Sequence, residues 1–269
     1  MKPHATSKKC LGMIAMADPI AKAKQVLSDK KVGDIPALSL GAISDSEGVK
    51  YKQKAYPDKW DGMLVFNGAQ RGILVNTRID NPARHKFTFA HELGHYFLDH
   101  PPSFSKDGQL GIECNVSETS MEQKGREAEA NRFAVELLMP QDRFLLLMLG
   151  AEIDFALIAG LAIEFMVSKQ ACSYRLVELT QKPCIVVFSK HGKITSYKAS
   201  RAAKGFWGGY ASLPNETVAH EMIINKKQQS NFAECDSRKW LLRTVPEQKI
   251  YECTRGSYAD GSAMTILKW

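Results

Sequence analysis

The pentapeptide His91-Glu92-Leu93-Gly94-His95 sets two imidazoles four residues apart, with a carboxylate directly after the first. On a helix, positions i and i+4 share a face, so both rings can point at one ion. Glu92, one step round, projects beside them, where it can take a proton from a water activated by that ion. The string is therefore a candidate hydrolytic zinc site. His91 and His95 supply nitrogen, Glu92 is the base, and a third protein ligand is still needed with a fourth position left open. A pentapeptide can arise by chance, so its surroundings decide.

The surroundings supply a helix and a reason for its glycine. Arg84–Asp99 reads as helical, stopped by Pro101-Pro102, and Phe89, Leu93 and Phe97 recur at spacing four as a core face apart from the histidines. Gly94 in mid-helix costs about 1 kcal/mol relative to Ala, which predicts a close approach by another backbone. Two core or surface histidines with no metal would leave Glu92 unexplained. A Gly at 98 and a His at 101 would make a metzincin, but Leu98 and Pro101 stand there. His100 reads as a helix-end residue facing elsewhere. A carboxylate from the next helix, Glu122–Leu138, is the alternative, with Glu127, Glu129 and Glu136 available.

These residues carry a resemblance. Thr88–His95, then Glu127-Ala128-Glu129-Ala130-Asn131-Arg132-Phe133-Ala134, then Glu136-Leu137-Leu138-Met139-Pro140, are similar to the ImmA/IrrE metallopeptidase family, specifically over about residues 62–180. The resemblance implies a zincin fold, a gluzincin-type site with Zn²⁺ held by His91, His95 and Glu127, and a cytoplasmic protein. Glu127-x-x-Ala130-Asn131 is similar to the Glu-x-x-Ala-Asp pattern of gluzincins, in which the residue four after the ligand orients a histidine. Helical spacing agrees: Glu127 and Asn131 share a face, so Asn131 can support an imidazole N–H, while Glu129 turns away and is expected to meet solvent. The resemblance further implies a helix-turn-helix repressor as substrate. Some relatives are stimulated by single-stranded DNA, and the layout is similar to CapP-like proteins of anti-phage operons.

Elsewhere, Asp18–Lys31 reads as a helix with Asp18 as N-cap and Pro19 in its first turn. Gly48–Gln53, Gly62–Asn67 and Gly72–Thr77 alternate as strands of a small antiparallel sheet, with a hairpin signal and a four-residue connection at Asn67-Gly68. Pro101–Glu118 is polar and glycine-containing, hence a loop; Gln141–Leu149 is a short helix. Leu161–Leu176 resembles a helix-turn-helix with Ser168 as N-cap, although its second helix carries only Lys169 near its start, so helix packing is the better reading. From Lys182 the period changes to two, over Cys184–Ser189, Ile194–Ser200, Lys249–Cys253 and Ala263–Trp269.

The fold class is therefore α+β: a zincin-like metallopeptidase domain with a helical extension over 1–180, then a smaller sheet-rich α+β domain, GAF/PAS-like, over 181–269. Charge marks the same boundary. Residues 1–180 carry 22 Lys+Arg and 22 Asp+Glu, whereas 181–269 carry 14 against 7, so the whole +7 lies in the last third. Lys190, His191, Lys193, Lys198, Arg201 and Lys204 lie near Tyr197, Phe206, Trp207 and Tyr210, a mixture suited to single-stranded nucleic acid; the plainer reading is a solvated basic face over core aromatics. Composition of 44% hydrophobic and 24% charged residues excludes collagen-like and wholly disordered classes. No run approaches a membrane span. Six cysteines without a CxxC pair indicate reduced, intracellular usage. Lys8-Lys9 before Cys10–Ala17 imitates a short signal peptide, and Met13 or Met16 would serve as well as Met1 for a start.

The expected function is a zinc endopeptidase that cuts a helix-turn-helix repressor in response to a stress, phage or DNA signal, with the basic third as sensor. Cys114, in the loop between the two ligand-bearing helices, is a candidate inhibitory zinc ligand: as thiolate it could fill the fourth position. The rival is a DNA-binding regulator with a structural zinc, for which Glu92 has no use. Gly72–Thr77 is the strand expected to hold substrate backbone.

Overall fold

A computed structural model of the chain describes residues 18–57, 59–104, 110–114, 125–225, 227–243, 245, 249–256 and 260–269. The signal-like stretch and the alternative starts lie outside them. The first helix is α1 (Pro19–Asp29), and the Asp18 carboxylate accepts from the Ile20 N–H as its cap. A short helix α2 (Leu40–Ser46), not foreseen from the pattern, precedes β1 (Lys50–Lys54), β2 (Gly62–Asn67) and β3 (Gln70–Asn76). Helix α3 (Pro82–Phe97) carries the HExxH string. Then come β4 (Ser103–Phe104), β5 (Leu110–Cys114) and α4 (Arg126–Leu138).

These strands form a five-stranded sheet in the order β1-β3-β2-β5-β4. Three expectations are corrected. The sheet is mixed, because β1 runs parallel to β3: the chain crosses over after β1, and the tight β2–β3 hairpin then brings β3 back between them. The link at Asn67-Gly68 is shorter than four residues, since Asn67 pairs with Gln70 and Gly68 takes φ 58°. The Pro101–Glu118 stretch is also not all loop, because β5 pairs with β2 through Gly62–Val65 and β4 pairs with β5. Gly111 permits this pairing, since a Cβ there would lie 2.8 Å from the Leu64 carbonyl oxygen.

Helices α5 (Gln141–Met148), α6 (Phe155–Glu164) and α7 (Lys169–Leu179) follow. Ser168 Oγ caps α7 by accepting from the Ala171 N–H at 3.0 Å. Helix α7 is packed, not presented: Cys172 through Val177 are buried. Its Arg175 pairs with Glu136 of α4, both side chains nearly fully buried, and donates through Nε to the Met139 carbonyl. Breaking one side of such a pair costs about 3–5 kcal/mol, so α7 is firmly tied to α4.

The remaining chain builds a second five-stranded antiparallel sheet from β6 (Cys184–Lys190), β7 (Lys193–Ala199), β8 (Ala233–Asp236), β9 (Lys249–Gly256) and β10 (Ser262–Lys268), in the order β7-β6-β10-β9-β8. Helix α8 (Val218–Ile224) and β8 add to the expected elements. One face of this sheet, through Cys184, Val186, Cys253, Met264 and Ile266, joins the hydrophobic core of the first unit, while the other covers a separate core around Trp207 and Trp240.

Candidate metal centre

Helix α3 crosses α4 closely at one point. A Cβ on Gly94 would lie 3.0 Å from both Cα and the carbonyl oxygen of Ala130, which is the close backbone approach its mid-helix position implies. That contact brings three donors from two helices together. His91 Nε2 and His95 Nε2 are 3.0 Å apart, and Glu127 Oε2 and Oε1 lie 3.2 and 3.4 Å from them respectively. The fourth comes from β5, where Cys114 Sγ is 3.3 Å from His95 Nε2. One donor atom from each of His91, His95, Cys114 and Glu127 falls within 4.8 Å of all the others.

Donors about 2.0–2.3 Å from a tetrahedral zinc sit about 3.3–3.8 Å from one another, so the cluster has the right scale for one ion. Proton placement fits as well. His91 Nδ1 donates to Asn131 Oδ1 at 2.8 Å, which leaves its Nε2 lone pair facing the centre. On the other side, Glu129 Oε2 is 3.0 Å from His100 Nε2, and His100 Nδ1 is 2.8 Å from His95 Nδ1. A carboxylate at the far end accepts from His100 Nε2–H. His100 Nδ1 then accepts from His95 Nδ1–H, so the His95 Nε2 lone pair also faces inward.

Electrostatics favour the ligand forms. Burial pushes His95 down to about 4, only partly offset by Glu127, so the imidazole is neutral at pH 7. Burial opposes ionisation of Glu127, but the His91 and His95 rings, which can donate to it through Nε2 while no metal is held, outweigh that and hold its carboxyl well below the usual range. Burial, then the Glu92 and Glu127 carboxylates, raise the Cys114 thiol far above its ordinary value, so it is a thiol unless a cation sits at the centre. Burial likewise pushes Glu92 well up, eased in part by the nearby Cys114 thiol and Leu64 backbone.

Glu92 is the anomaly. Both carboxyl oxygens are buried, and neither has a hydrogen-bond partner of normal geometry among the described residues. Buried polar groups are rarely left so, and an exception calls for a function. Gly62 of β2 makes the space: a Cβ there would lie 2.5 Å from Glu92 Oε1 and 2.5 Å from Thr88 Cγ2. The Glu127 side chain, by contrast, is 36% exposed, so the centre opens to solvent on that side.

Residues 46–177 match the IrrE N-terminal-like domain, Peptidase M78. This segment is an ImmA/IrrE-family metallopeptidase domain. A solved structure of a Mycobacterium tuberculosis transcriptional regulator shares the fold, with a TM-score of 0.58 at 15% identity over 93% of this chain and 76% of that one. A comparison with curated proteins gives no significant match.

Within the ImmA/IrrE domain the structure brings His91, Glu92, His95, Glu127, Asn131 and Cys114 into one site. Glu129 does not meet solvent freely; it holds His100. The chain reverses at Asp99 with φ 51°, and the His100 N–H bonds the His95 carbonyl, which returns the ring beneath the helix end. No sequence signal marked that turn. Strand β3 cannot hold substrate by strand addition, since β1 and β2 occupy both its edges. The basic residues of the last third are spread along β7 and the turns at its two ends. Lys190 and Lys193 flank the β6–β7 turn, and Arg201 and Lys204 follow the other end of β7. Along β7 a bulge at Thr195 breaks the alternation, so Lys193, Ser196 and Lys198 point to one side and Ile194 and Tyr197 to the other. Ser196 accepts from the Tyr174 hydroxyl of α7 at 2.7 Å, and Lys198 looks onto α4 and α7. Of the nearby aromatics, Trp207 is buried and Tyr197 stacks on it, with Tyr197 still 47% exposed. Among the described residues no single helix is long and apolar enough to cross a membrane.

Proposed function

We propose that the chain is a cytoplasmic zinc endopeptidase of gluzincin type whose metal is held by His91, His95 and Glu127. The observation that carries this reading is Glu92, a buried carboxyl without a hydrogen-bond partner of normal geometry among the described residues, beside converging donors. A divalent metal held there supplies Lewis acidity toward a peptide carbonyl and toward water. The chain's own groups do the rest. Glu92, its proton affinity raised by burial, takes a proton from a water at the centre and hands it to the departing amine as the peptide bond breaks. Asn131 and the His100–Glu129 pair hold both imidazoles in the ligating tautomer.

Beyond Gly111, the edge of β5 away from β2 carries no described partner strand, so Ile112–Cys114 is the place for an extended substrate segment to add. Cys114 lies in that strand with its sulfur at the centre. It serves as the inhibitory fourth ligand, released when the strand moves. The substrate is a helix-turn-helix repressor, and the stimulus a stress or phage signal read as single-stranded DNA by the basic third through Lys190, Lys193, Arg201 and Lys204, with Tyr197 as a stacking surface. On this reading the chain acts as CapP-like anti-phage regulators do.

Four protein donors would also suit a structural zinc in a DNA-binding regulator. Two observations weigh against that reading. Glu92 has no task in a closed site, and α7, the second helix of the helix-turn-helix-like pair, is buried along Cys172–Val177 and cannot enter a groove. The test uses zinc-loaded full-length protein and a purified helix-turn-helix repressor encoded beside it. Glu92→Gln is expected to bind zinc as wild type does and to lose cleavage by about 10²–10⁴-fold. Undiminished cleavage by Glu92→Gln would overturn the peptidase mechanism.

A further inference from the structure

Beside α4, a cleft of about 310 Å³ opens between the two sheet-bearing units. Its walls come from four elements: Ile20 of α1, Asn131 and Arg132 of α4, Arg175 and Glu178 of α7, and Lys198 of β7. The size is at the lower end of small-molecule sites, about 300–1,000 Å³.

Its charge is unbalanced. Arg175 is already engaged, by Glu136 behind it and by Glu178 Oε1 at 3.3 Å. Arg132 and Lys198 have no hydrogen-bond or ion-pair partner among the described residues, although they face one cleft from two different units. Three cations therefore line the cleft against the single carboxylate of Glu178; the balance stays positive even with Glu136 counted. Like charges brought to one concavity repel and focus potential on whatever anion enters. An Arg fork and a Lys ammonium are the usual pair for a doubly charged phosphate. Ile20 adds an apolar wall for the organic part of a ligand.

We propose that this cleft binds a small phosphomonoester of about mononucleotide size, its phosphate held between Arg132 and Lys198 and so bridging α4 to β7. Such a ligand would act at a distance on the metal centre. Asn131 lines the cleft and also holds the His91 ring through Oδ1, so the helix that the ligand clamps is the helix that fixes that ligating tautomer. The inference does not depend on peptidase chemistry, because it is read by binding without turnover.

The same phosphate could come from a free nucleotide or from the 5′ end of a DNA strand, and the arms of one experiment separate them. Full-length protein is titrated with thymidine monophosphate, thymidine, inorganic phosphate, and oligothymidine bearing either a 5′-phosphate or a 5′-hydroxyl. Thymidine monophosphate is expected to bind saturably and to be displaced by phosphate but not by thymidine. Displacement by the 5′-phosphorylated oligonucleotide assigns the strand end as a source, and its failure to displace assigns the free nucleotide. Arg132→Gln and Lys198→Gln should each weaken binding by about tenfold or more, whereas Lys193→Gln, at the other end of β7 and outside the cleft lining, should not. Neither Arg132 nor Lys198 holds a described partner, so both variants should keep the wild-type unfolding temperature; Lys198→Glu is a second, stronger variant. Absence of saturable binding by thymidine monophosphate and phosphate would overturn the proposal. So would equally strong displacement by the 5′-phosphate and 5′-hydroxyl oligonucleotides, or equal loss in Lys193→Gln.

Discussion

The Gly94→Ala substitution sets two forces in opposition, and their balance can be worked from the structure. As a helix-interior change, Gly to Ala should stabilise by about 1 kcal/mol. The new Cβ, however, would sit 3.0 Å from Ala130 Cα and 3.0 Å from its carbonyl oxygen, with Phe133 Cδ1 at 3.2 Å. Two of these three atoms are backbone, so no side chain can swing aside to relieve them. Helices α3 and α4 must separate by several tenths of an ångström, and overpacking of this kind costs about 1–3 kcal/mol. The metal-free fold should therefore change by between nothing and a loss of about 2 kcal/mol. The metal should feel more, because His91 and His95 lie on one helix and Glu127 on the other, and ligand distances tolerate only about 0.2 Å. If zinc must draw the helices back against 1–2 kcal/mol of strain, its affinity falls about 5–30-fold. Thermal unfolding of metal-free and zinc-loaded protein, with chelator competition for Kd, separates the two terms. A metal-free Gly94→Ala protein about 1 kcal/mol more stable than wild type, with unchanged zinc affinity, would refute the reasoning.

Glu127→Ala should lose most of its zinc in a metal assay, whereas Glu129→Ala, which releases only His100 behind His95, should weaken zinc by no more than about 10–100-fold; the reverse order would show that Glu127 is not the ligand. Cys114→Ser should raise cleavage of the repressor without activator, because the sulfur beside His95 is then gone, and unchanged basal activity would remove the inhibitory role. Gly62→Ala should keep zinc but lose about 10²–10⁴-fold in cleavage, since its Cβ would displace the Glu92 carboxyl; full activity would mean that the Glu92 position is not critical.

What was legible in the sequence was local. Asp18 and Ser168 act as caps because their side chains bond N–H groups two or three residues on, which spacing alone reveals. Gly94 pointed to a neighbouring backbone because its cost in a helix needs a reason. Features that depend on distant partners were hidden. Strand β5 has five residues inside a polar stretch, and it exists because β2 offers an edge and Gly111 lets the backbones meet. The Glu129–His100–His95 relay needs the reversal at Asp99, a left-handed position with no glycine to announce it. The bulge at Thr195 is hidden in the same way: strict alternation would put Lys193 and Lys198, five apart, on opposite faces, but the extra residue returns them to one.

The second ligand helix explains why the site depends so heavily on the surrounding fold. Successive residues of α4 turn by about 100°, so thirteen residues present several distinct faces. Glu127 and Asn131 meet the histidines, Ala130 meets Gly94, Glu136 meets Arg175, and Arg132 looks into the cleft. An HExxH helix alone fixes two donors by its own geometry, but the third arrives only if α4 lies at the correct distance and rotation. That placement is set by the glycine crossing on one side and the buried Glu136–Arg175 pair on another. Anything that shifts α7 or β7 against the first unit must therefore act on Glu127 and Asn131 before it can reach His91 or His95, which makes α4 the element through which the basic third can influence the metal centre.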